Sequence, residues 1–384
     1  MKFICAIVAC ILLYSCSSTL SVEDERTIDI ELIPQKVVFE DIFGYIEVVP
    51  LETNDSSLIT WDFHKELTDS DIYIFDFGAN AAFRFSQKGT FKNCIGKKGQ
   101  GPGEYPFAYG FDVDAKSNRA YIVSALGTLY EYTLSGEFVR ESQLPWRYNY
   151  HQIHQLSDGN WASWTYSDLE NPALSIINRE RDSVLCSFDV PVHIADRMFS
   201  QPKFFKYNGD LFVGFGFDRN VYHLSSDTMT VAYTWDFGEK NISENMLAEY
   251  DKMRDGGDWT DLQDNFRNDS RRIYQLSSHC SNNRYDYVLV YYLEKIYDLP
   301  ENERKSEGYH IFHDKKTGKT YVVDKFSNGL TGMDVYGMTD DYMLCRIEME
   351  SLPLYEEYLP EGMKLSDIDP DDDNPVLARF YFKK

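Results

Sequence analysis

The feature that most constrains the fold of this chain is a short polar turn that recurs about every 46 residues. Each copy joins two runs of alternating apolar and polar residues, which is the pattern of neighbouring strands in a β-hairpin. The clearest copies place Gly where a tight turn needs a positive φ. Several short strands within a fixed period of about 40 to 50 residues are typical of a β-propeller. The copies lie at 85–91, 132–138, 178–184, 224–230 and 312–321.

The number of turns predicts an all-β, six-bladed β-propeller. Five turns of one kind indicate five complete blades, and a sixth blade has only three strands, at 333–338, 342–349 and 375–382. The lone alternating run 43–50 can supply the missing fourth strand, because its edge would otherwise stay unpaired. We therefore expect the N-terminal strand to close the ring beside 375–382.

An insertion accounts for the last interval between turns, which is about twice as long as the others. Residues 241–267 have a helical pattern, with a capping box formed by Asn241 and Glu244 and apolar residues at helical spacing. We expect this helical insertion to lie outside the ring, on the face where the long loops cluster. The propeller domain is predicted to span 41–384.

The N-terminal residues are typical of an export signal. Lys2 precedes an apolar run of 12 residues at 3–14, which is too short to span a bilayer that needs about 20. The run ends in Leu-Tyr-Ser-Cys16, which resembles the lipobox of bacterial lipoproteins, where cleavage before the Cys leaves its thiol to carry lipid. We predict a signal peptide at 1–15 and a lipidated Cys16 that begins a tether at 16–40. An ordinary signal peptide with an incidental Cys is the alternative.

The acidic charge of the chain argues against nucleic acid as a partner. Sixty-two Asp and Glu residues against 38 Lys and Arg give a formal net charge of −24, which would repel phosphate groups. Export permits disulfides, yet the remaining cysteines lie far apart and three of them sit beside apolar residues in strand-like runs. We expect small buried side chains rather than disulfides or a metal cluster at Cys94, Cys186, Cys280 and Cys345.

The most specific local motif is the Gly-rich stretch Ile-Gly-Lys-Lys-Gly-Gln-Gly-Pro-Gly-Glu-Tyr at 95–105. It lacks the Gly-Lys-Ser/Thr ending of a phosphate-binding loop and opens no helix. We predict that Gly and Pro shape a tight crossing between two blades and that a Glu and a Tyr hydrogen-bond across it. The residues assigned to this structural loop are Gly99, Gly101, Pro102, Gly103 and Glu104.

This stretch is one of several segments that resemble those of the six-bladed β-propeller lipoproteins common in Bacteroidetes, relatives of NHL and TolB-like propellers. The others are Asp-Ile-Tyr-Ile-Phe-Asp at 71–76, Gln-Lys-Gly at 87–89, Val-Val-Pro-Leu-Glu-Thr at 48–53 and Pro-Val-Leu-Ala-Arg-Phe at 375–380. The resemblance covers essentially the whole mature chain. It implies a propeller and a lipid anchor in the outer membrane of the cell envelope, but no general biochemical activity. The periplasmic side is favoured over the cell surface.

Two further clusters contain residue types that can bind metal ions or take part in catalysis. His151 and His154 fall on the first strand of the third blade, where residues three apart face opposite sides, so one of them can line the channel. The acidic run 367–373 could bind calcium, although it lacks the Gly and the closing Glu of an EF-hand loop, and a solvated loop is preferred. We predict no catalytic residue, no metal site and no cofactor, with calcium left open.

Ligand binding is predicted on the face of the disk that collects the long loops, because loops on a rigid scaffold commonly carry function. Aromatic and Arg side chains are typical of binding surfaces. We expect a non-catalytic binding or scaffold protein for a glycan, peptide or protein partner. A hydrolase or lyase at the channel mouth, with or without calcium, is the alternative. The predicted ligand-binding residues are Tyr105, Trp146, Arg147, Tyr148, Tyr150, His193, Arg197 and Trp259.

Overall fold

The strands form six mainly antiparallel sheets whose first strands surround a central channel. Two N-terminal strands precede the first complete blade: β1, Arg26–Asp29, and β2, Phe43–Pro50. The computed structural model describes residues 26–145, 150–165, 173–188, 190, 202–242, 272–293, 307–369 and 374–384.

The first three blades follow in chain order, each from an inner to an outer strand. Blade 1 contains β3 to β6, at Asp62–Leu67, Asp71–Asp76, Ala81–Ser86 and Phe91–Ile95. Blade 2 contains β7 to β10, at Ala108–Asp114, Arg119–Ser124, Thr128–Tyr132 and Phe138–Gln143. Blade 3 contains β11 to β14, at Tyr150–Gln155, Trp161–Thr165, Leu174–Ile177 and Val184–Phe188.

The last three blades continue the pattern. Blade 4 contains β15 to β18, at Lys203–Tyr207, Asp210–Gly214, Asn220–Leu224 and Met229–Asp236. Blade 5 contains β19 to β22, at Arg272–Ser281, Tyr285–Leu293, Glu307–Asp314 and Thr320–Val323. Blade 6 contains β23 to β25, at Met333–Met338, Tyr342–Ile347 and Val376–Phe382, with β2 as its outer strand. Short 3-10 helices lie at Phe39–Asp41, Gly238–Lys240, Met349–Tyr358 and Leu365–Asp367.

The N-terminal strand closes the ring, as the sequence predicts. Strand β2 pairs antiparallel with β25, from Phe43 opposite Phe382 to Pro50 opposite Val376. Phe43 is fully buried, and its ring stacks on that of Phe382 with 5.3 Å between ring centroids. Because β2 covers the outer edge of β25, the last strand of the chain is not left unpaired at this seam.

Strand β1 corrects the expected boundary between tether and domain. We expected a tether up to residue 40, but β1 pairs in parallel with β18 and adds a fifth strand to blade 4. Ile28 and Leu32 are buried, and the backbone of Gln35 donates a hydrogen bond to Val322 of blade 5. The apolar residues of this segment bury against blades 4 and 5, so the packed domain begins no later than Arg26.

The hydrophobic core lies between adjacent blades. Successive residues of a strand face opposite sides of its sheet, and both sides of each sheet meet a neighbouring blade. Phe75 of blade 1 stacks with Phe111 of blade 2 at a centroid distance of 6.0 Å, and Tyr121 of blade 2 meets Trp161 of blade 3 at 4.6 Å. Strands in the middle of a blade are consequently buried along their whole length, as in β4 and β12.

Three other expectations concern parts of the chain around this core. The predicted helical insertion lies outside the described residues beyond Ile242. No disulfide joins the four cysteines that the structure describes, and Cys280 and Cys345 are buried as small core side chains. Within the described ranges, no helix is long and apolar enough to cross a membrane.

Candidate binding site in the central channel

A cavity of about 160 Å³ lies in the central channel. Five of the six inner strands contribute to its wall, namely β3, β11, β15, β19 and β23. The strongly acidic composition makes the concentration of basic side chains here unusual. The titratable side chains of the lining, apart from one Cys and one Tyr, are His64, Lys65, Glu66, His154, Lys203, Lys206 and His279.

Backbone irregularities aim three titratable side chains at one another. The pairing register shifts near the start of β3, β7 and β11. A β-bulge re-aims the residues that follow it. Glu66, Asp112 and His154 each lie four positions after the first residue of their bulge, and their ligand atoms lie within 4.8 Å of one another. Equivalent positions of three successive blades therefore meet at the channel.

Asp112 is held as a carboxylate by its partners. Lys206 donates to its Oδ1 at 2.7 Å, and the backbone N–H of Gln155 donates to its Oδ2 at 2.9 Å. Burial opposes ionisation, but the Lys206 ammonium and the neighbouring His154, whose Nδ1 lies 3.6 Å from Oδ1, outweigh it and hold the pKa of Asp112 at about 2. The same attraction raises the pKa of Lys206 above its ordinary value, although burial alone would lower it.

The pKa of Glu66 is shifted in the opposite direction, upwards. Its Oε1 lies 4.0 Å from His154 Nδ1, and its carboxyl group makes no hydrogen bond to any residue that the structure describes. Burial raises the pKa of Glu66 to about 8, and the Asp112 carboxylate adds to this effect while Lys206 opposes it. At neutral pH the Glu66 side chain is therefore mainly a neutral acid that can donate a proton.

The cavity lining also includes two imidazoles with ring nitrogens that have no hydrogen-bond partner among the described residues. His64 Nε2 and both ring nitrogens of His279 are buried and have no hydrogen bond in the described part of the chain. Burial lowers the pKa of each ring, to about 3 for His279, and the Lys203 ammonium lowers both further. Both rings are therefore neutral at pH 7, with one N–H donor each.

The donor types of Glu66, Asp112 and His154 would suit a metal ion, but their charges do not favour one. The Lys206 ammonium already neutralises Asp112, and Glu66 is mainly protonated at neutral pH. A divalent cation would have to displace the ammonium and the proton. We interpret the three residues as an acid–base cluster rather than as a metal site.

The acidic run that could bind calcium is only partly described, since 370–373 lie outside the described residues. Asp367 accepts a hydrogen bond from the backbone of Lys364 at 2.9 Å and so caps the short helix that contains it. This contact is a structural use of the carboxylate and gives no support to a calcium site.

The two sequence-predicted histidines separate in the structure. His154 lines the cavity, whereas His151 packs against the ring of Tyr109 at a centroid distance of 4.2 Å. The expectation that one of the pair lines the channel is confirmed. Sequence reasoning missed Glu66, Asp112 and Lys206, because they come from three different blades and no local sequence pattern marks them as neighbours.

The Gly-rich crossing is held by its own residues. Glu104 Oε2 accepts a hydrogen bond from the backbone N–H of Gly101 at 2.9 Å. Its Oε1 forms an ion pair with Lys97 Nζ, also at 2.9 Å. Gly103 has a φ of 72°, and a Cβ there would lie 2.5 Å from Phe138 Cγ, so only Gly fits. A Cβ on Gly99 would lie 2.0 Å from a carboxylate oxygen of Glu104, so a larger residue there would displace that side chain. Pro102 belongs to the same loop.

Two predicted ligand-binding residues are buried in the structure. Tyr105 is fully buried and donates a hydrogen bond from its hydroxyl to the carbonyl of Asn80 at 2.8 Å, and Tyr150 is fully buried in the core between blades 2 and 3. Tyr150 is the first residue of the inner strand β11, and Tyr105 lies just before the inner strand β7. Their side chains pack in the core and are not part of the loop surface. The other predicted residues, Trp146, Arg147, Tyr148, His193, Arg197 and Trp259, and the lipidation residue Cys16 lie outside the described residues.

The ring of six blades around a polar channel defines this protein as a six-bladed β-propeller. The chain belongs to the family described as domain of unknown function DUF4934, whose model matches residues 25–381. It is similar to the crystal structure of a protein from Bacteroides fragilis assigned as exported, with 21% identity and a TM-score of 0.72 over 93% of this chain and 100% of that chain.

A second similar structure is that of a DUF4221 family member from Bacteroides vulgatus, with 10% identity and a TM-score of 0.52 over 89% of this chain and 98% of that chain. No curated protein matches the sequence. At these identities the two structures establish the shared fold.

Proposed function

We propose that this protein is a non-catalytic binding protein of the cell envelope that engages a glycan, peptide or protein through its central channel and the surrounding long loops. The observation that carries the proposal is the set of polar groups in the channel that have no partner among the described residues. Buried polar groups are normally hydrogen-bonded, so such a set is expected where a ligand completes the pairing. His64 Nε2 and both ring nitrogens of His279 form that set, and the half-buried Lys203 lines the same cavity.

Anchoring through Cys16 belongs to the same proposal. The lipobox-like sequence at the end of the apolar run supports a lipid anchor, and similarity to a protein assigned as exported supports an envelope location. A propeller fixed to a membrane would display one surface to its ligand. We favour the periplasmic side of the outer membrane.

A hydrolase or lyase is the second candidate, and one observation favours it. The pKa of Glu66 is raised to about 8 while that of Asp112, in the same cluster, is lowered to about 2. A pair of acids with separated pKa values is typical of general acid–base catalysis. His154 lies between them as a possible proton acceptor or donor.

Binding of the mature chain to glycan and peptide arrays tests the proposed function. We expect selective binding that the double variant Trp146→Ala with Tyr148→Ala weakens at least about tenfold, while Tyr45→Ala, at an exposed aromatic on the outer strand β2, leaves it unchanged. A ligand that is turned over by the wild type, and merely bound by Glu66→Gln, would contradict the non-catalytic proposal and establish the enzyme.

A further inference from the structure

Lys203 is the one cavity-lining lysine without a carboxylate partner among the residues that the structure describes. Its half-buried side chain makes no hydrogen bond or ion pair with any of them. By contrast, Lys206 pairs with Asp112 at 2.7 Å and Lys65 with Asp62 at 3.5 Å. An unpaired ammonium in a partly enclosed channel favours a negatively charged guest, because water there solvates the charge less well than bulk solvent does.

His279 is positioned close to this ammonium. Lys203 lies directly opposite Gly214 in the pairing of β15 with β16. A Cβ on Gly214 would lie 2.3 Å from His279 Cδ2, so the imidazole fills the space that the missing side chain leaves. The ring is fully buried, and neither of its nitrogens has a described partner. A neutral ring in this place holds one N–H donor for which the described residues provide no acceptor.

Two further groups complete the recess. His64 lines the same cavity with a buried Nε2 that also lacks a described partner. Glu66, protonated at neutral pH because burial raises its pKa to about 8, can offer an O–H. The recess thus combines one positive charge with several hydrogen-bond donors. Asp112 is the one carboxylate of the neighbouring cluster, and Lys206 neutralises it.

We propose that the recess formed by Lys203, His64, Glu66 and His279 binds the carboxylate group of a small acid. One uncompensated ammonium matches one negative charge, and the two oxygens of a carboxylate can accept from several donors at once. An anion that is doubly charged at neutral pH, such as sulfate, would bring a second negative charge towards Asp112. A cavity of about 160 Å³ is comparable with one that holds a six-membered ring, so the guest is no larger than a monosaccharide acid. This inference rests on the proposed binding function and names the chemical class that the channel takes.

Calorimetric titration of the mature protein at pH 7 tests the site with D-glucuronate and acetate as probes. D-glucose serves as the neutral control, and inorganic sulfate as the doubly charged one. We expect glucuronate and acetate to bind, glucose not to bind, and sulfate to bind at least about tenfold more weakly than glucuronate. Lys203→Met should weaken glucuronate binding at least about tenfold, and Lys88→Met, at an exposed turn, should not change it.

Lys203→Arg keeps the charge and separates lost binding from lost folding, since it should retain part of the glucuronate affinity. In the wild type, glucuronate should also shift the imidazole NMR signals of His279. Equal binding of glucose and glucuronate, or unchanged affinity in Lys203→Met, overturns the carboxylate site. If an array ligand binds while glucuronate neither binds nor competes, the site is wrong and the binding function stands. If glucuronate binds through Lys203 and no array ligand is found, the site stands and the proposed function fails.

Discussion

At the scale of single residues, the two acids Asp112 and Glu66 ionise very differently because only Asp112 receives hydrogen bonds from the described residues. Burial by itself would raise the pKa of both carboxyl groups. Asp112 receives a hydrogen bond from the Lys206 ammonium and one from a backbone N–H, which more than offset burial, whereas Glu66 receives no hydrogen bond from the described residues. The positive partner, rather than the depth of burial, decides which acid is charged.

The raised pKa of Glu66 predicts how stability depends on pH. The folded protein keeps the proton up to about pH 8, whereas the unfolded chain releases it near the ordinary pKa of 4.5, so the folded state loses stability as the pH rises from about 5 to 8. Glu66→Gln removes this titration. We expect the variant to unfold at the wild-type temperature near pH 5 and to be more stable than the wild type at pH 8.5, by up to about 5 kcal/mol.

Thermal unfolding across this pH range measures the effect. Glu137→Gln is the matched control, because Glu137 is exposed in a turn, and it should follow the wild-type curve. Parallel pH profiles for Glu66→Gln and the wild type would show that Glu66 is already ionised in the folded protein.

At the scale of strands, the seam between the two ends of the domain depends on β2. The first half of this strand buries Phe43 and Ile46 and exposes Tyr45, whereas in its second half Val48 and Val49 are both buried. Phe43 packs in a cluster of aromatic rings that includes Phe382 and Phe326, while Tyr45 remains 59% exposed and stacks on Tyr381. The core side of the strand therefore carries most of the stabilisation of the seam.

A matched pair of substitutions measures that asymmetry. Phe43→Ala leaves a cavity in the aromatic cluster and should lower the free energy of unfolding by about 3–5 kcal/mol. Tyr45→Ala, two residues away on the exposed side, should cost about 1 kcal/mol or less. Denaturant unfolding followed by tryptophan fluorescence gives both values. Similar losses for the two variants would mean that β2 does not close the ring as described.

At the scale of the whole molecule, an acidic chain encloses a channel with basic side chains at its centre. The chain has a formal net charge of −24, yet three lysines and three histidines line the cavity of the propeller. The first packed strand, β1, begins at Arg26 on the outer edge of blade 4. Nine residues lie between Arg26 and Cys16, and the ten steps from one Cα to the other can span at most about 35 Å. A lipid on Cys16 would therefore hold the rim of blade 4 near the membrane.

Replacement of Cys16 tests this anchoring. In a bacterial host that processes lipoproteins, Cys16→Ala should move the protein from the membrane fraction to the soluble fraction and abolish incorporation of labelled palmitate, because the thiol that carries the lipid is gone. Cys10→Ala, within the apolar run of the export signal, should leave both measurements at the wild-type level. If the Cys16→Ala variant still fractionates with membranes and still incorporates labelled palmitate, the proposed anchor is wrong.

The six-bladed ring and its closure could be predicted from the sequence because both depend on local patterns. The turn period, the alternation along Phe43–Pro50 and the special backbone at Gly103 are set by residues close together in the chain. The packed strand β1 escaped prediction, since Arg26–Asp29 is too short to show a period and is stabilised by contacts with blades 4 and 5.

Only the tertiary structure decided where the candidate site lies. Glu66, Asp112 and Lys203 come from different blades, and nothing in their local sequence shows that they approach the same cavity. Nor does the sequence reveal which of the polar residues have partners: Lys206 and Lys203 lie on the same strand, yet only Lys206 reaches a carboxylate among the described residues. Charge compensation depends on distances across the ring, and those distances exist only once the blades have assembled.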